Sequence, residues 1–235
     1  MDIKSNRNKD TNLRVFKKIV FILITFTIAG CLLLPVLYIF RAPMISVYNS
    51  MRPLLLDGGG QQCINSLNSK QVQFQKLGDT GTQDCPVLNA VKINSFQNTK
   101  ISSPFILSCP TADRVASWLE DIGASSIRHM GTLNCRKRRG GSLYSEHSFG
   151  TAIDISHING ASVKEDWGKN TEEGDILAKA TKSACTYFSN VLTPDTNKLH
   201  HDHYHLDTGV GFGCEVGKFA TLILKTLQKF NKYLL

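Results

Sequence analysis

The chain has 235 residues, with 27 Lys and Arg against 19 Asp and Glu and a formal net charge of +8 at pH 7. The charge is concentrated at the amino terminus, because residues 1–41 hold 7 basic and 2 acidic side chains and the rest hold 20 and 17, a net charge of +3. This excludes a nucleic-acid-binding surface on the main part of the chain.

The amino-terminal region has the pattern of a membrane anchor. Residues 1–18 form a basic flank, and residues 19–40 contain no charged side chain. A helix of 22 residues at about 1.5 Å per residue reaches about 33 Å, enough to cross a bilayer core. The positive-inside rule keeps the flank in the cytoplasm and exports the remainder.

Two alternatives to an anchor remain open. A cleaved signal peptide is one, although the apolar run exceeds the usual apolar region of about 7–15 residues. The other is lipidation of Cys31, because Ile28-Ala29-Gly30-Cys31 resembles a bacterial lipobox. Against lipidation, the sequence stays apolar as far as Phe40.

The remaining cysteines agree with export. Six follow the apolar run: Cys63, Cys85, Cys109, Cys135, Cys185 and Cys214. An even number in an oxidising compartment predicts three disulfides, and none of the six belongs to a CxxC pair of the kind found in zinc fingers. Six cysteines allow 15 pairings, so the connectivity stays open.

Composition divides the exported part into three segments. Residues 41–62 are predicted to be a linker, because Pro43, Pro53 and the run Gly58-Gly59-Gly60 interrupt regular structure. Residues 63–214 are of a length that suits one domain. Residues 215–235 contain apolar side chains at helical spacing with lysines between them, which predicts an amphipathic helix. That helix either packs on its own domain or lies on an anionic membrane.

Two helices and several strands are predicted inside the domain. Pro110 at a first helical position and an apolar face at 115, 118, 119 and 122 predict a helix that Gly123 ends. A second helix is predicted from Glu173 to Leu192. Short β-prone pieces occur at 72–74, 91–93, 105–107, 152–155 and 204–206. The sequence therefore predicts an α+β domain with a small antiparallel sheet, flanking helices and disulfide staples.

The chemistry-bearing residues fall in two segments. His147 and Asp154 are seven residues apart, and Asp154 lies in an alternating stretch, so one loop and one strand can present both side chains. His203 and His205 are two apart and share a strand face, while Tyr204 between them faces away. A sparse set of His and Asp donors is typical of a catalytic zinc site. A surface histidine cluster or an accidental chelator is the alternative.

The motifs resemble the bacterial extensin-like C-terminal domain family. The residues that carry the resemblance are Cys135-Arg136, Gly140, Ser145-Glu146-His147-x-x-Gly150-x-Ala152-Ile153-Asp154-Ile155, Trp167, Cys185-x-x-Phe188-x-x-Val191-Leu192-x-Pro194, Asn197, and His200-x-Asp202-His203-x-His205-Leu206-Asp207. The resemblance runs from about Cys63 to Cys214. Only 7 prolines in 235 residues exclude a proline-rich wall rod of the plant extensin type.

The family motifs are in turn similar to those of zinc peptidases grouped with lysostaphin, the D-alanyl-D-alanine metallopeptidases and the murein endopeptidases. This similarity implies that His147, Asp154 and His205 bind zinc and that the chain cuts peptidoglycan peptides. The apolar run and its basic flank predict the location, a single-pass protein of the bacterial inner membrane with this domain in the periplasm. A His/Asp/His set also holds other divalent metals. A non-catalytic module that binds the cell envelope is the alternative function.

The implied mechanism is zinc-assisted amide hydrolysis. His203 is the favoured general base, and His200 is the runner-up or a stabiliser of the oxyanion. Glu146 ranks below them, because adjacent side chains on an extended backbone point apart. Asp202 and Asp207 either orient the imidazoles or are solvated surface groups.

The run from Arg136 to Arg139 is either a solvated loop or a clamp for a substrate carboxylate. Arg136 is the best candidate for the clamp, because a disulfide at Cys135 would hold it. Trp167 is expected in the core.

Overall fold

The computed structural model describes residues 44–211. The predicted anchor, Cys31, Cys214 and the carboxy-terminal helix therefore lie outside the described residues. Within residues 44–211, no helix combines the length and the apolar character that crossing a bilayer requires. The chain divides into two units, Met1–Ser50 and Met51–Leu235. In the first unit, the described residues 44–50 are helical.

The second unit contains short helices and nine strands within the described residues. The helices are α1 (Gly60–Ser69), α2 (Cys109–Ile122), α3 (Val163–Asp166) and α4 (Glu172–Tyr187), with 3-10 turns at Arg52–Leu55, Glu146–Phe149 and Lys198–His200. The strands are β1 (Gln73–Gly81), β2 (Pro86–Ser95), β3 (Lys100–Ile101), β4 (Phe105–Ser108), β5 (Ser126–Gly131), β6 (Ala152–Ile158), β7 (Ala161–Ser162), β8 (Asn190–Leu192) and β9 (Tyr204–Asp207).

The strands form two sheets. The first has the order β1-β2-β4, and the second has the order β3-β5-β6-β9-β8 with β7 paired to β6. Every pairing between these strands is antiparallel except that of β3 with β5. The predicted α+β class with antiparallel pairing is confirmed, with two sheets in place of the single small one expected.

Helix α2 confirms the prediction made from its spacing. Val115, Trp118 and Leu119 are buried, and the Trp118 indole donates a hydrogen bond to the carbonyl oxygen of Ala180 in α4 at 3.1 Å. Gly123 ends the helix at φ 65°, a left-handed conformation that glycine adopts without strain. Helix α2 thus packs against α4 in the main core.

Helix α4 ends five residues earlier than predicted. Phe188 is already extended, and Val191 and Leu192 pair with Leu206 and His205 of β9. The apolar residues at 191 and 192 fit a helical stripe and a strand equally well, so periodicity alone did not separate the two. The early end supplies strand β8, which pairs with β9.

Two disulfides connect the first half of the domain. Cys63 of α1 pairs with Cys109 of α2, and Cys85 pairs with Cys135. Cys185 is also disulfide-bonded. The second of the two bonds fixes the chain beside Arg136, as the candidate clamp requires.

Candidate metal centre

The first histidine is presented by a tight turn. His147 lies in the 3-10 turn Glu146–Phe149, which Gly150 ends at φ 63°. A Cβ atom at Gly150 would lie 2.8 Å from Cγ1 of Val87, so this turn leaves no room for a side chain there. The ring of His147 is buried, and its Nδ1 donates to the carbonyl oxygen of Thr132 at 2.6 Å. Its Nε2 atom is therefore the nitrogen left for a ligand.

The other two candidate ligands are brought together by strand register. Asp154 of β6 pairs directly with His205 of β9, and side chains opposite each other on adjacent strands lie close enough to interact. Asp154 Oδ1 lies 2.9 Å from His205 Nδ1, and Asp154 Oδ2 lies 3.2 Å from His147 Nε2. The two histidine nitrogens are 3.1 Å apart. One candidate ligand atom from each residue falls within 4.8 Å of the others.

The ring of His205 is oriented by a buried carboxylate. His205 Nε2 donates to Oδ2 of Asp207 at 3.1 Å. Asp207 is itself fixed, because its Oδ1 accepts hydrogen bonds from Nδ2 of Asn190 at 2.8 Å and from the backbone N–H of Gly209 at 2.9 Å. In each histidine one ring nitrogen donates to a protein acceptor and the other ring nitrogen faces Asp154. This is the arrangement found in imidazoles that bind a metal.

The charges in the cluster follow from this geometry. Burial acts to raise the pKa of Asp154, but its close polar contacts with the rings of His147 and His205 outweigh burial and hold the pKa well below its usual range. Burial acts to lower the pKa of His205, but hydrogen bonds to Asp154 and Asp207 raise it to about 9. Asp154 is therefore a carboxylate at neutral pH, and in the metal-free protein His205 is an imidazolium.

His203 stands beside the cluster as a separate imidazole. Its Nδ1 donates to Oδ1 of Asp202 at 2.7 Å, and its Nε2 lies 3.8 Å from Oδ1 of Asp154. The hydrogen bond from His203 lowers the pKa of Asp202. Tyr204 points the other way, since its hydroxyl donates to the carbonyl oxygen of Leu177 in the core. His203 and His205 therefore lie on the side of Asp154, and Tyr204 lies on the opposite side, as the spacing predicts.

His200 lies against both of these rings. Its ring centroid is 5.2 Å from that of His203 and 5.7 Å from that of His205. Its Nδ1 donates to Oδ1 of Asn197 at 2.9 Å, so a neutral ring carries no proton on Nε2. Burial and the neighbouring imidazoles lower the pKa of His200 to about 4. His200 at neutral pH is therefore neutral with an unprotonated Nε2, so it has no proton there to donate to an oxyanion, and its low pKa makes it a weak base.

Glu146 is not available as a base. Its buried carboxylate is 2.5 Å from Nη2 of Arg52 and accepts a hydrogen bond from the Thr151 hydroxyl at 2.7 Å. Arg52 itself comes from the segment predicted to be a linker and is 3% exposed. This ion pair was not foreseen in the sequence, where nothing connects residue 52 with residue 146.

The other predicted residues lie at the edge of the site. Arg136 is exposed, and its backbone N–H donates to the hydroxyl of Ser148, the residue after His147. Arg138 of the same basic run lies 3.7 Å from the Glu146 carboxylate. Trp167 is half-buried and packs edge-on against the ring of Tyr204, so it lies against the core and not fully inside it as expected.

Comparison with known proteins gives one match. Residues 61–215, about two thirds of the chain, match the model of a family described as extensin-like protein C-terminus. No curated protein and no solved structure matches the chain significantly. The matched region contains every residue of the candidate centre and begins nine residues after Arg52.

Proposed function

The chain belongs to the extensin-like protein C-terminus family, and we propose that it is an exported zinc peptidase that hydrolyses amide bonds in the peptides of peptidoglycan. One observation carries the proposal: Nε2 of His147, the Asp154 carboxylate and Nδ1 of His205 converge while the outer nitrogens of both rings are held by Thr132 and Asp207.

The donor set fits zinc. Two neutral imidazoles and one carboxylate are the ligand types that catalytic zinc sites use, and three protein ligands leave a fourth position open. Deprotonation of His205 on binding would complete the set, because the Asp154 carboxylate is already ionised. A bound zinc ion would supply Lewis-acid activation of a water molecule and of the scissile carbonyl.

The histidines beside the metal ligands would transfer the proton of the attacking water. In the proposed reaction the water oxygen adds to the carbonyl carbon while Nε2 of His203 accepts the water proton. The same nitrogen then gives this proton to the leaving amine as the C–N bond breaks. Asp202 holds the His203 ring through Nδ1 and stabilises the imidazolium that forms between the two transfers. His200 is the second candidate for the base.

The substrate assignment depends on topology and charge. A domain exported past a membrane anchor would meet the stem peptides of the cell wall, whose free carboxylates suit a guanidinium. Arg136 is the proposed contact, because its side chain is exposed and its backbone is tied to the turn that carries His147. The anchor in residues 19–40, with the domain in the periplasm, is part of the same proposal.

The test uses the purified full-length chain and a matched pair of variants. We expect about one zinc per chain and cleavage of peptidoglycan or muropeptides. His147→Ala should lose both the metal and the cleavage. His201→Ala is the control, because His201 is an exposed histidine outside the cluster, with its Nδ1 on the Lys198 carbonyl oxygen; it should keep both.

Two results would argue against the proposal in different ways. Full zinc content in His147→Ala would refute the ligand assignment. Stoichiometric zinc in the wild type, with no turnover on any wall preparation, would refute the peptidase and favour a metal-containing module that binds the cell envelope.

A further inference from the structure

A buried carboxylate lies directly beside the first candidate ligand. Glu146 precedes His147 in the same 3-10 turn, and its side chain is 1% exposed. The single proton of the Thr151 hydroxyl is shared between the backbone carbonyl oxygen of Glu146, at 2.9 Å, and Oε2 of the same residue, at 2.7 Å. One hydroxyl does not neutralise a buried charge, so this carboxylate requires a cation.

The cation is Arg52. Its Nη2 lies 2.5 Å from Oε2 of Glu146, and its Nε donates to Oε1 at 3.3 Å, so the guanidinium contacts both oxygens. The guanidinium also lies 5.0 Å above the ring centroid of Phe149, a fully buried residue of the same turn. Arg138 is farther from the carboxylate, at 3.7 Å, and its side chain is 46% exposed. Arg52 is thus the buried counter-charge.

The same carboxylate touches the other half of the centre. The backbone of Gly209 lies against Glu146 so closely that a Cβ atom there would collide with the carboxylate. The N–H of Gly209 donates to Asp207, whose other oxygen accepts from His205 Nε2. Glu146 is therefore linked through the chain to His147 and through Gly209 and Asp207 to His205.

We propose that Arg52 is a positioning residue for the candidate metal centre, acting through Glu146 on the orientation of both histidines. The proposal rests on the metal site of the proposed function. It also extends the functional unit of this chain beyond the family-matched region, to a residue of the segment that joins the domain to the predicted anchor.

The decisive variant is Arg52→Met, which keeps much of the apolar volume and removes the charge. Loss of a group that orients ligands typically costs about 10–100-fold in metal affinity, and this is the change we expect for zinc measured by chelator competition. The visible absorption spectrum of the cobalt-substituted protein should also change, because it reports ligand geometry. Arg52→Met/Glu146→Gln should recover affinity to within about threefold, since a neutral amide needs no cation.

Two controls separate an effect on ligand orientation from an effect of lost charge or of lower overall stability. Arg138→Met removes the exposed guanidinium near the same carboxylate and should leave affinity and spectrum unchanged. Leu67→Ala removes packing from α1 in the core, so it should lower the melting temperature without altering the cobalt spectrum. Wild-type affinity and spectrum in Arg52→Met would overturn the proposal, as would failure of the double variant to recover.

A metal-free measurement distinguishes this proposal from the proposed function. The ring nitrogen NMR signals of His147 in the apoprotein should shift in Arg52→Met and stay in place in Arg138→Met. A wild type that binds no zinc would refute the metal centre, while this shift would still report the coupling of Arg52 to the ring. Absence of the shift would refute the coupling even if zinc binds.

Discussion

Metal binding should release a proton from His205, with a measurable pH dependence. In the metal-free protein burial opposes protonation of this ring, but the hydrogen bonds to Asp154 and Asp207 raise its pKa to about 9. A metal ion that uses Nδ1 must displace the proton. The apparent affinity should therefore rise about tenfold for each pH unit up to about 9 and level off above it. At pH 7 the competition from the proton weakens binding about 100-fold, or about 3 kcal/mol.

Calorimetry gives the proton count directly. Titrations of zinc into the metal-free protein at pH 7, in buffers of different ionisation enthalpy, should show a net release of close to one proton per metal, and the Asp207 variant below tests whether that proton comes from His205. Asp207→Asn should reduce this release, because an amide donor facing Nε2 no longer stabilises the imidazolium. The same variant should bind zinc more weakly, since the amide favours the tautomer that carries its proton on Nδ1.

The matched control is Asp202→Asn, which alters the partner of His203 and leaves that of His205 unchanged. Its proton release should equal that of the wild type. Equal release in the wild type and in Asp207→Asn would refute the reasoning, as would an affinity that stays constant between pH 6 and pH 8.

Three further predictions concern catalysis and stability. Asp202→Asn should lower kcat on muropeptides by at least about tenfold while zinc content stays at the wild-type level, because the His203 ring loses its carboxylate partner. Replacing Cys85 and Cys135 with Ala should lower the free energy of unfolding in urea by about 2–4 kcal/mol, and an unchanged unfolding midpoint would contradict this. Gly150→Ala should destabilise the fold by about 1–3 kcal/mol through its left-handed backbone and the contact with Val87, measured by the same unfolding assay.

The sequence predicted the parts of the site that depend on short-range pattern. Alternation placed Asp154 on one strand face, and the spacing of His203 and His205 placed both rings on the side opposite Tyr204. The register that sets Asp154 opposite His205 joins strands about fifty residues apart, and one residue of slip would have turned every side chain to the other face. That register depends on packing of the whole sheet, so it cannot be predicted from the periodicity within either strand.

Two contributors to the site carry no signal in a single sequence. Thr132 orients His147 through its backbone carbonyl oxygen, a group that every residue has. Arg52 lies among prolines and glycines whose composition predicts a linker, and only the buried carboxylate of Glu146 reveals why a guanidinium is needed there. The end of α4 could not be predicted from the sequence either, because it is set by the pairing of β8 with β9 and not by helix propensity.

The pairing of Cys63, Cys85, Cys109 and Cys135 makes the yield of native protein sensitive to the order in which the cysteines are oxidised. Cys63 pairs with Cys109 and Cys85 with Cys135, so each bond links a cysteine to the next but one along this stretch. An oxidase that joined cysteines in order as the chain emerged would produce Cys63–Cys85 and Cys109–Cys135, and both bonds would be wrong. Reaching the native pairing from that state requires attack of a free thiolate on each wrong bond, which is the reaction of a disulfide isomerase. The yield of this protein should therefore fall more steeply on loss of isomerase activity than that of a domain whose cysteines pair in order.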